Sequence, residues 1–295
     1  MPFKQHISFA RRFVRGALAE RRREAVTPMR PAPYRPDPGS WPAGHLTAAW
    51  LGHATVLLDF FGATVLTDPA LEPRVGVGRG RVKLGPRRLI EPALTADELP
   101  PTDVLLLSHS HMDHTDLGTL RRLERETPIV VHRGNRDLVR RFRSVTELQW
   151  GEAASVAGVR IEAIPARHWG ARVLTDTHRG YGGYLLQREG ATVLFAGDTA
   201  YTDQLTPLGR RHRIDLAILP IGAYDPWIAN HASPEEAWRM FRALGATWLL
   251  PIHHSTFRLS REPADEPLAR LLAAAGSEAW RVVARQVGAT WTLRR

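Results

Sequence analysis

Four metal-capable side chains fall within six residues in Ser108-His109-Ser110-His111-Met112-Asp113-His114-Thr115, directly after the apolar run Val104 to Leu107. Four aliphatic residues that stop at a serine read as a buried strand ending in a turn. Strand ends are where α/β folds present chemistry. Neutral imidazole is the commonest transition-metal ligand, and a carboxylate beside it suits zinc, manganese or iron. In an irregular turn, His109 and His111 can converge on one ion while Asp113 and His114 face a neighbouring one. The fold must therefore hold this turn where other strand ends can reach it.

Two metals need more ligands than one turn supplies. His168 follows the apolar segment 159–164, Asp198 follows 192–196, and His253 follows 248–252. With 13 histidines and no cysteine, thiolate ligands and disulfides are excluded, so any metal is held by imidazole and carboxylate. The expected metal ligands are His109, His111, Asp113, His114, His168, Asp198 and His253. A purely structural zinc is normally closed by four ligands, and seven argue for catalysis over a metal-binding scaffold.

The rest of the chain alternates strands and helices. Segments 48–58 and 64–66 read as a hairpin around Phe61-Gly62, and further strands are expected at 129–132, 159–164, 184–186, 192–196, 216–219 and 248–252. Helices are expected at 115–126, with Leu117, Leu120 and Leu123 on one face, and at 134–143, 201–210, 234–244 and 264–274. Ser233 followed by Glu236 marks a capping box before the fourth of these. Residues 72–95 form a long arginine-rich segment, the kind of loop that often walls an active site. The expected fold is α/β: one domain over 46–295, built as two sheets between outer helices. No repeat points to a solenoid.

Residues 1–45 read as a basic, proline-rich extension. Ile7, Phe9, Phe13, Val14, Leu18 and Ala19 among arginines suit a short amphipathic helix that contacts an anionic membrane through residues 1–25, and six prolines between 28 and 42 suit an extended wrap. The net charge of +10 favours anionic material, yet no basic motif interleaved with aromatics marks specific nucleic-acid binding. No apolar stretch reaches the 18 residues of a membrane span, and no secretory signal is recognisable, so a cytoplasmic, at most peripheral, location is expected.

The motif His109 to His114 resembles the His-x-His-x-Asp-His hallmark of the metallo-β-lactamase fold, with later ligands at His168, Asp198 and His253. A closer resemblance is to the branch holding N-acyl-phosphatidylethanolamine-hydrolysing phospholipase D and the phosphorylated-ascorbate lactonases. It is carried by Trp50-Leu51-Gly52-His53-Ala54-Thr55, Thr67-Asp68-Pro69, Gly85-Pro86-Arg87-Arg88, Ile221-Gly222-Ala223-Tyr224, His231-Ala232-Ser233-Pro234 and Pro251-Ile252-His253-His254. The likeness runs from about residue 46 to 260. It departs at His254, where phospholipase-like members tend to carry tryptophan, and in the shorter stretch before His231.

The resemblance implies an αββα sandwich. In it His109, His111 and His168 hold one metal, Asp113, His114 and His253 the other, and Asp198 bridges both. The expected cofactor is a pair of divalent ions, zinc by default from the histidine-rich set, with manganese or iron as alternatives. The expected reaction is hydrolysis by a metal-activated hydroxide, on a small-molecule or lipid phosphodiester as in phospholipase D, with lactone or other cyclic-ester opening as the alternative.

Asp113, Asp198 and His231 are the catalytic candidates. Arg87, Arg88, Arg167 and Arg172 are candidates for a phosphate fork. Trp169, Tyr181, Tyr224 and Trp227 are candidate pocket walls, with His254 lining the pocket and His53 hydrogen-bonded to a ligand.

Overall fold

A computed structural model describes residues 28–78, 83–173 and 175–293. The helix expected over 1–25 lies outside the described residues. Residues 30–34 run extended over the body, where Arg30 pairs with Ile90 and the Tyr34 N–H bonds to the Val287 carbonyl.

Two mixed sheets face each other. The first sheet holds β1 (Leu46–Gly52), β2 (Thr55–Phe60), β3 (Ala63–Thr67), β4 (Val104–Leu107), β5 (Ile129–His132), β6 (Val145–Leu148) and β13 (Thr290–Thr292), in the order 13-1-2-3-4-5-6. The second holds β7 (Ala153–Val156), β8 (Val159–Ile164), β9 (Gly183–Arg188), β10 (Ala191–Phe195), β11 (Leu216–Pro220) and β12 (Trp248–Ile252), in the order 12-11-10-9-8-7. β3 to β6 run parallel, as do β10 to β12. Parallel neighbours need crossovers. In the second sheet these contain the helices α2 (Thr206–Arg211) and α3 (Pro234–Leu244).

Alternation along the strands builds two cores. Val193 and Phe195 point into the layer shared by both sheets, with Leu216, Ile218, Leu57 and Leu105. Leu194 and Ala196 point outward, into a second cluster with Trp238, Phe241 and Leu244 of α3 and Leu271 of α4 (Glu266–Ala275). The α3 face Ala237, Trp238, Met240, Phe241 and Leu244 follows the helical period, and each large member contributes roughly 1.5–3 kcal/mol on burial. Ser233 and Glu236 close the capping box, and Gly245, at φ 62°, ends the helix in the left-handed conformation. The expected double sheet with outer helices is what forms, within one domain.

Several elements differ from the sequence reading. The strand expected at 48–58 is two strands, because Gly52 at φ 111° and His53 at φ 56° reverse the chain. The helix expected at 115–126 is only α1 (Leu117–Leu120), N-capped by Asp116. Arg141 takes the carbonyls of Leu120 and Leu123, which a longer helix would use internally. The helix expected at 134–143 is a single 3-10 turn, Arg136–Leu138. Strands β6, β7 and β13 went unrecognised because they are three or four residues long and half exposed.

None of the described residues of the arginine-rich segment 72–95 lines the cleft. The segment folds back on itself through Arg74–Arg87 and Val77–Leu84 pairing, and a buried Lys83–Asp116 ion pair, 2.6 Å, fastens it behind the histidine turn. Among the described residues, no helix is long and apolar enough to cross a membrane.

Candidate metal centre

The carboxyl ends of β3 and β4 in the first sheet meet those of β8, β10, β11 and β12 in the second at one edge of the sandwich. Asp68 follows β3, the histidine turn follows β4, His168 follows β8, Asp198 follows β10 and His253 follows β12. The β1–β2 turn brings His53 to the same edge. Its carbonyl accepts from Trp50 Nε1, 2.8 Å, and from the His253 amide, 3.0 Å, so the two histidines share one rigid junction.

All seven sequence-predicted ligands come together. His111 Nδ1 lies 2.8 Å from His109 Nε2 and 3.2 Å from His168 Nε2, a three-imidazole group. Asp113 Oδ2 lies 3.6 Å from His114 Nε2 and 3.5 Å from His253 Nε2, a second group. Asp198 Oδ2 sits between them, at 3.9 Å from His109 Nε2 and His168 Nε2, 3.0 Å from His114 Nε2 and 3.1 Å from His253 Nε2. His231 Nδ1 is 3.8 Å from the same oxygen, and His53 Nε2 is 2.9 Å from Asp113 Oδ2.

The back of the site is held by a residue whose role the sequence reading missed. Asp68 is fully buried after β3 and accepts from the Ser108 amide at 2.7 Å, the Ser108 hydroxyl at 2.5 Å and His114 Nδ1 at 2.7 Å. With its proton on Asp68, Ser108 Oγ is left to accept from His109 Nδ1 at 2.9 Å. One carboxylate thus turns the lone pairs of His109 Nε2 and His114 Nε2 towards the centre. His168 is oriented likewise by its Nδ1 donating to the Asn230 carbonyl, 3.0 Å. The signal available in the sequence was an acid at a strand end, Asp68 after Thr67, but nothing local tells an orienting acid from a turn-forming one.

Electrostatics mark the site as a cation sink. Burial would raise Asp113 and Asp198, yet the surrounding imidazoles, His114 foremost, hold both well below the usual carboxylate range. Burial opposes protonation of His114 and His253 too, but Asp198 and Asp113 outweigh it, raising His114 well above its usual value and His253 to about 9. His109 and His168 go the other way, held well below by burial. His114 Nε2, His253 Nε2 and Asp198 Oδ1 are buried without a hydrogen-bond partner. A cluster that draws protons onto two histidines to neutralise two buried carboxylates is one that divalent cations would neutralise in their place, and its all-nitrogen-and-oxygen donor set fits them.

The cleft above the cluster has a volume of about 210 Å³ and is lined by His111, Asp113, Asp198, His231 and His253 on the floor and Trp169, Trp227, Ala223 and Leu259 around them. Trp169 packs on His168 and His111, ring centroids 4.4 and 4.7 Å apart. Leu259 had no signal in the sequence.

Several expected substrate residues lie elsewhere. Arg88 is buried beneath the site, where its guanidinium donates to the carbonyls of Ala70 and Ile90, so it cannot serve a phosphate fork. Arg172 donates to the carbonyls of Ser110 and Thr115 and braces the histidine turn. Tyr224 turns away to Glu266, 2.6 Å, under Arg270. His254 stacks on Trp50 at 4.4 Å in the interior. Arg87 pairs through its backbone with Arg74 and does not line the cleft, and Tyr181 lines a separate hollow with Trp150. Arg167 is exposed one residue before His168.

The Beta-lactamase superfamily domain model matches residues 63–254. The chain belongs to the metallo-β-lactamase superfamily. Within the superfamily it is 35% identical over 274 residues to an uncharacterized protein of Mycobacterium tuberculosis, covering 87% of this chain and 72% of the relative. It is 32% identical over 246 residues to N-acyl-phosphatidylethanolamine-hydrolyzing phospholipase D 1 of Caenorhabditis elegans, covering 75% and 68%. The solved structure of a metallo hydrolase from Ignicoccus hospitalis shares the fold, with a TM-score of 0.63 at 21% identity over 85% of this chain and 99% of that one. This chain is a metal-dependent hydrolase of the superfamily.

Proposed function

We propose that the centre takes two divalent cations, zinc by preference, and that the protein hydrolyses a phosphodiester in the manner of a phospholipase D. The observation that carries the two-cation reading is the position of Asp198 Oδ2, within 4 Å of imidazoles from both ligand groups. His109, His111 and His168 would hold one ion, Asp113, His114 and His253 the other, with Asp198 shared. Such ions supply Lewis acidity and lower the pKa of bound water. The diester reading draws on the likeness to the Caenorhabditis elegans enzyme and on the chain's net charge of +10.

The chain's own groups do the rest. Asp113, fixed by His53, faces the cleft and can take a proton there. His231 is neutral at pH 7, because burial takes it down to about 4 against the pull of Asp198, and its imidazole can offer an N–H to an oxygen that gains charge. Trp169 and Trp227 confine the ester from the sides.

Metal content by elemental analysis, together with hydrolysis of bis(p-nitrophenyl) phosphate, tests the reading in wild type, His109→Ala and Asp198→Ala. About two equivalents of metal, with diesterase activity lost in both variants, is the expected result. A metal-loaded protein without diesterase activity would overturn the substrate class, and a single equivalent would overturn the two-cation centre.

A further inference from the structure

Three large apolar side chains stand out of the protein around the mouth of the cleft. Trp169, after β8, is 39% exposed, and Trp227 and Ile228, after β11, are 49% and 48% exposed. Both tryptophans also line the cleft, beside Leu259. Scattered apolar residues need no explanation, but a cluster rimming a binding cleft marks a surface that meets something.

The exposure is not backbone slack. The Trp227 carbonyl accepts from the amides of Asn230 and His231, at 2.8 and 3.0 Å, and the Glu262 carboxylate takes the amides of Ala223 and Asp225, at 2.6 and 3.2 Å. The segment 225–230 is thus a fastened turn that presents Trp227 and Ile228 outward.

The exposed charge beside this rim is two arginines against one acid, Asp225, in the turn itself. Arg167 is exposed two residues before Trp169, and exposed Arg261 bonds through its amide to the Asp225 carbonyl at the base of the turn. Tryptophan favours the boundary between headgroups and acyl chains, and arginine is drawn to anionic lipid. We infer that this rim docks on an anionic bilayer, so that the cleft opens onto headgroups instead of bulk water. The functional consequence rests on the phosphodiester reading, because docking would present a lipid ester to the metal centre. The site of contact differs from the amphipathic stretch expected over residues 1–25, since it belongs to the hydrolase body and surrounds the cleft itself.

The test is sedimentation of the full-length protein with vesicles of phosphatidylcholine and phosphatidylglycerol in equal parts. Partitioning should fall at least about tenfold in Trp227→Ser/Ile228→Ser, the loss expected when two half-exposed apolar side chains no longer enter the membrane boundary. Brominated lipids should quench the tryptophan emission of the wild type. Unchanged partitioning by the double variant, with thermal unfolding as in wild type, would overturn the proposal. Should the double variant fail to fold, Ile228→Asn alone takes its place in the same comparison, and absent quenching overturns the proposal with no variant at all. A lipid-free dimer that these substitutions dissolve would assign the face to self-association and likewise overturn it. Binding is read without turnover. A protein that docks but cleaves no diester therefore sinks the functional reading alone, and one that cleaves diesters without docking sinks this proposal alone.

Discussion

Replacing Asp68 by asparagine should weaken cation binding by both candidate ligand groups without replacing any of their members. The two carboxylate oxygens accept three hydrogen bonds, from the Ser108 amide, the Ser108 hydroxyl and His114 Nδ1. An amide has one acceptor oxygen, which can keep the Ser108 amide, and its NH2 then points where Oδ2 stood. His114 Nδ1–H loses its acceptor, so the ring favours the tautomer with the proton on Nε2, where a cation would need the lone pair. The Ser108 hydroxyl, now receiving a proton from the amide, turns its own towards His109 Nδ1 and reverses that ring as well. Outer partners of metal-bound histidines contribute about 10–100-fold to affinity, or roughly 1.4–2.8 kcal/mol. With one histidine affected in each ligand group, the combined loss should reach at least about 10²-fold. Competition against a chromophoric chelator measures it, and Ser108→Ala separates the branches, because that variant loosens His109 and leaves the His114–Asp68 bond in place. If Asp68→Asn binds the metal that the wild type binds with an affinity within about threefold of it, Asp68 does not set the tautomers.

Two further outcomes follow from the structure. Burial takes His132 down to about 4, while an unfolded imidazole titrates near 6.5. The unfolded chain therefore takes up a proton first as pH falls, and the wild type should lose about 3 kcal/mol more than His132→Leu between pH 7 and pH 4 in urea unfolding, with no difference in slope above pH 7. Ser233→Ala breaks the capping box of α3 and should lower stability by about 1 kcal/mol while leaving metal content unchanged; metal loss in that variant would mean that the helix start positions His231 and the cluster more tightly than its hydrogen bonds indicate.

The residues that gather at the candidate centre were legible because they lie in turns that follow apolar strands, and a strand end is a local signal. The same holds for β5, β8, β12 and α3, whose bounds the apolar pattern and the capping box mark without help from the fold. Element type failed where a distant group intervened, as when Arg141 claims the carbonyls that would extend α1. The split of β1 from β2 was missed because 48–58 is apolar on both sides of Gly52-His53, and the left-handed backbone at those two residues reverses the chain.

Side-chain destinations needed the tertiary structure most. Arg88, Tyr224 and His254 lie in motifs that resemble a family's site, yet each is turned inward by a partner on another segment: Ala70 for the first, Glu266 for the second, Trp50 for the third. The sequence by itself determined the α/β sandwich and which residues gather at its edge, since hydrophobic period and strand ends are properties of neighbours. The fold alone decided that Asp68 orients two of those histidines and that Trp169, Trp227 and Ile228 ring the opening, because both depend on packing between segments that only the closed sandwich brings together.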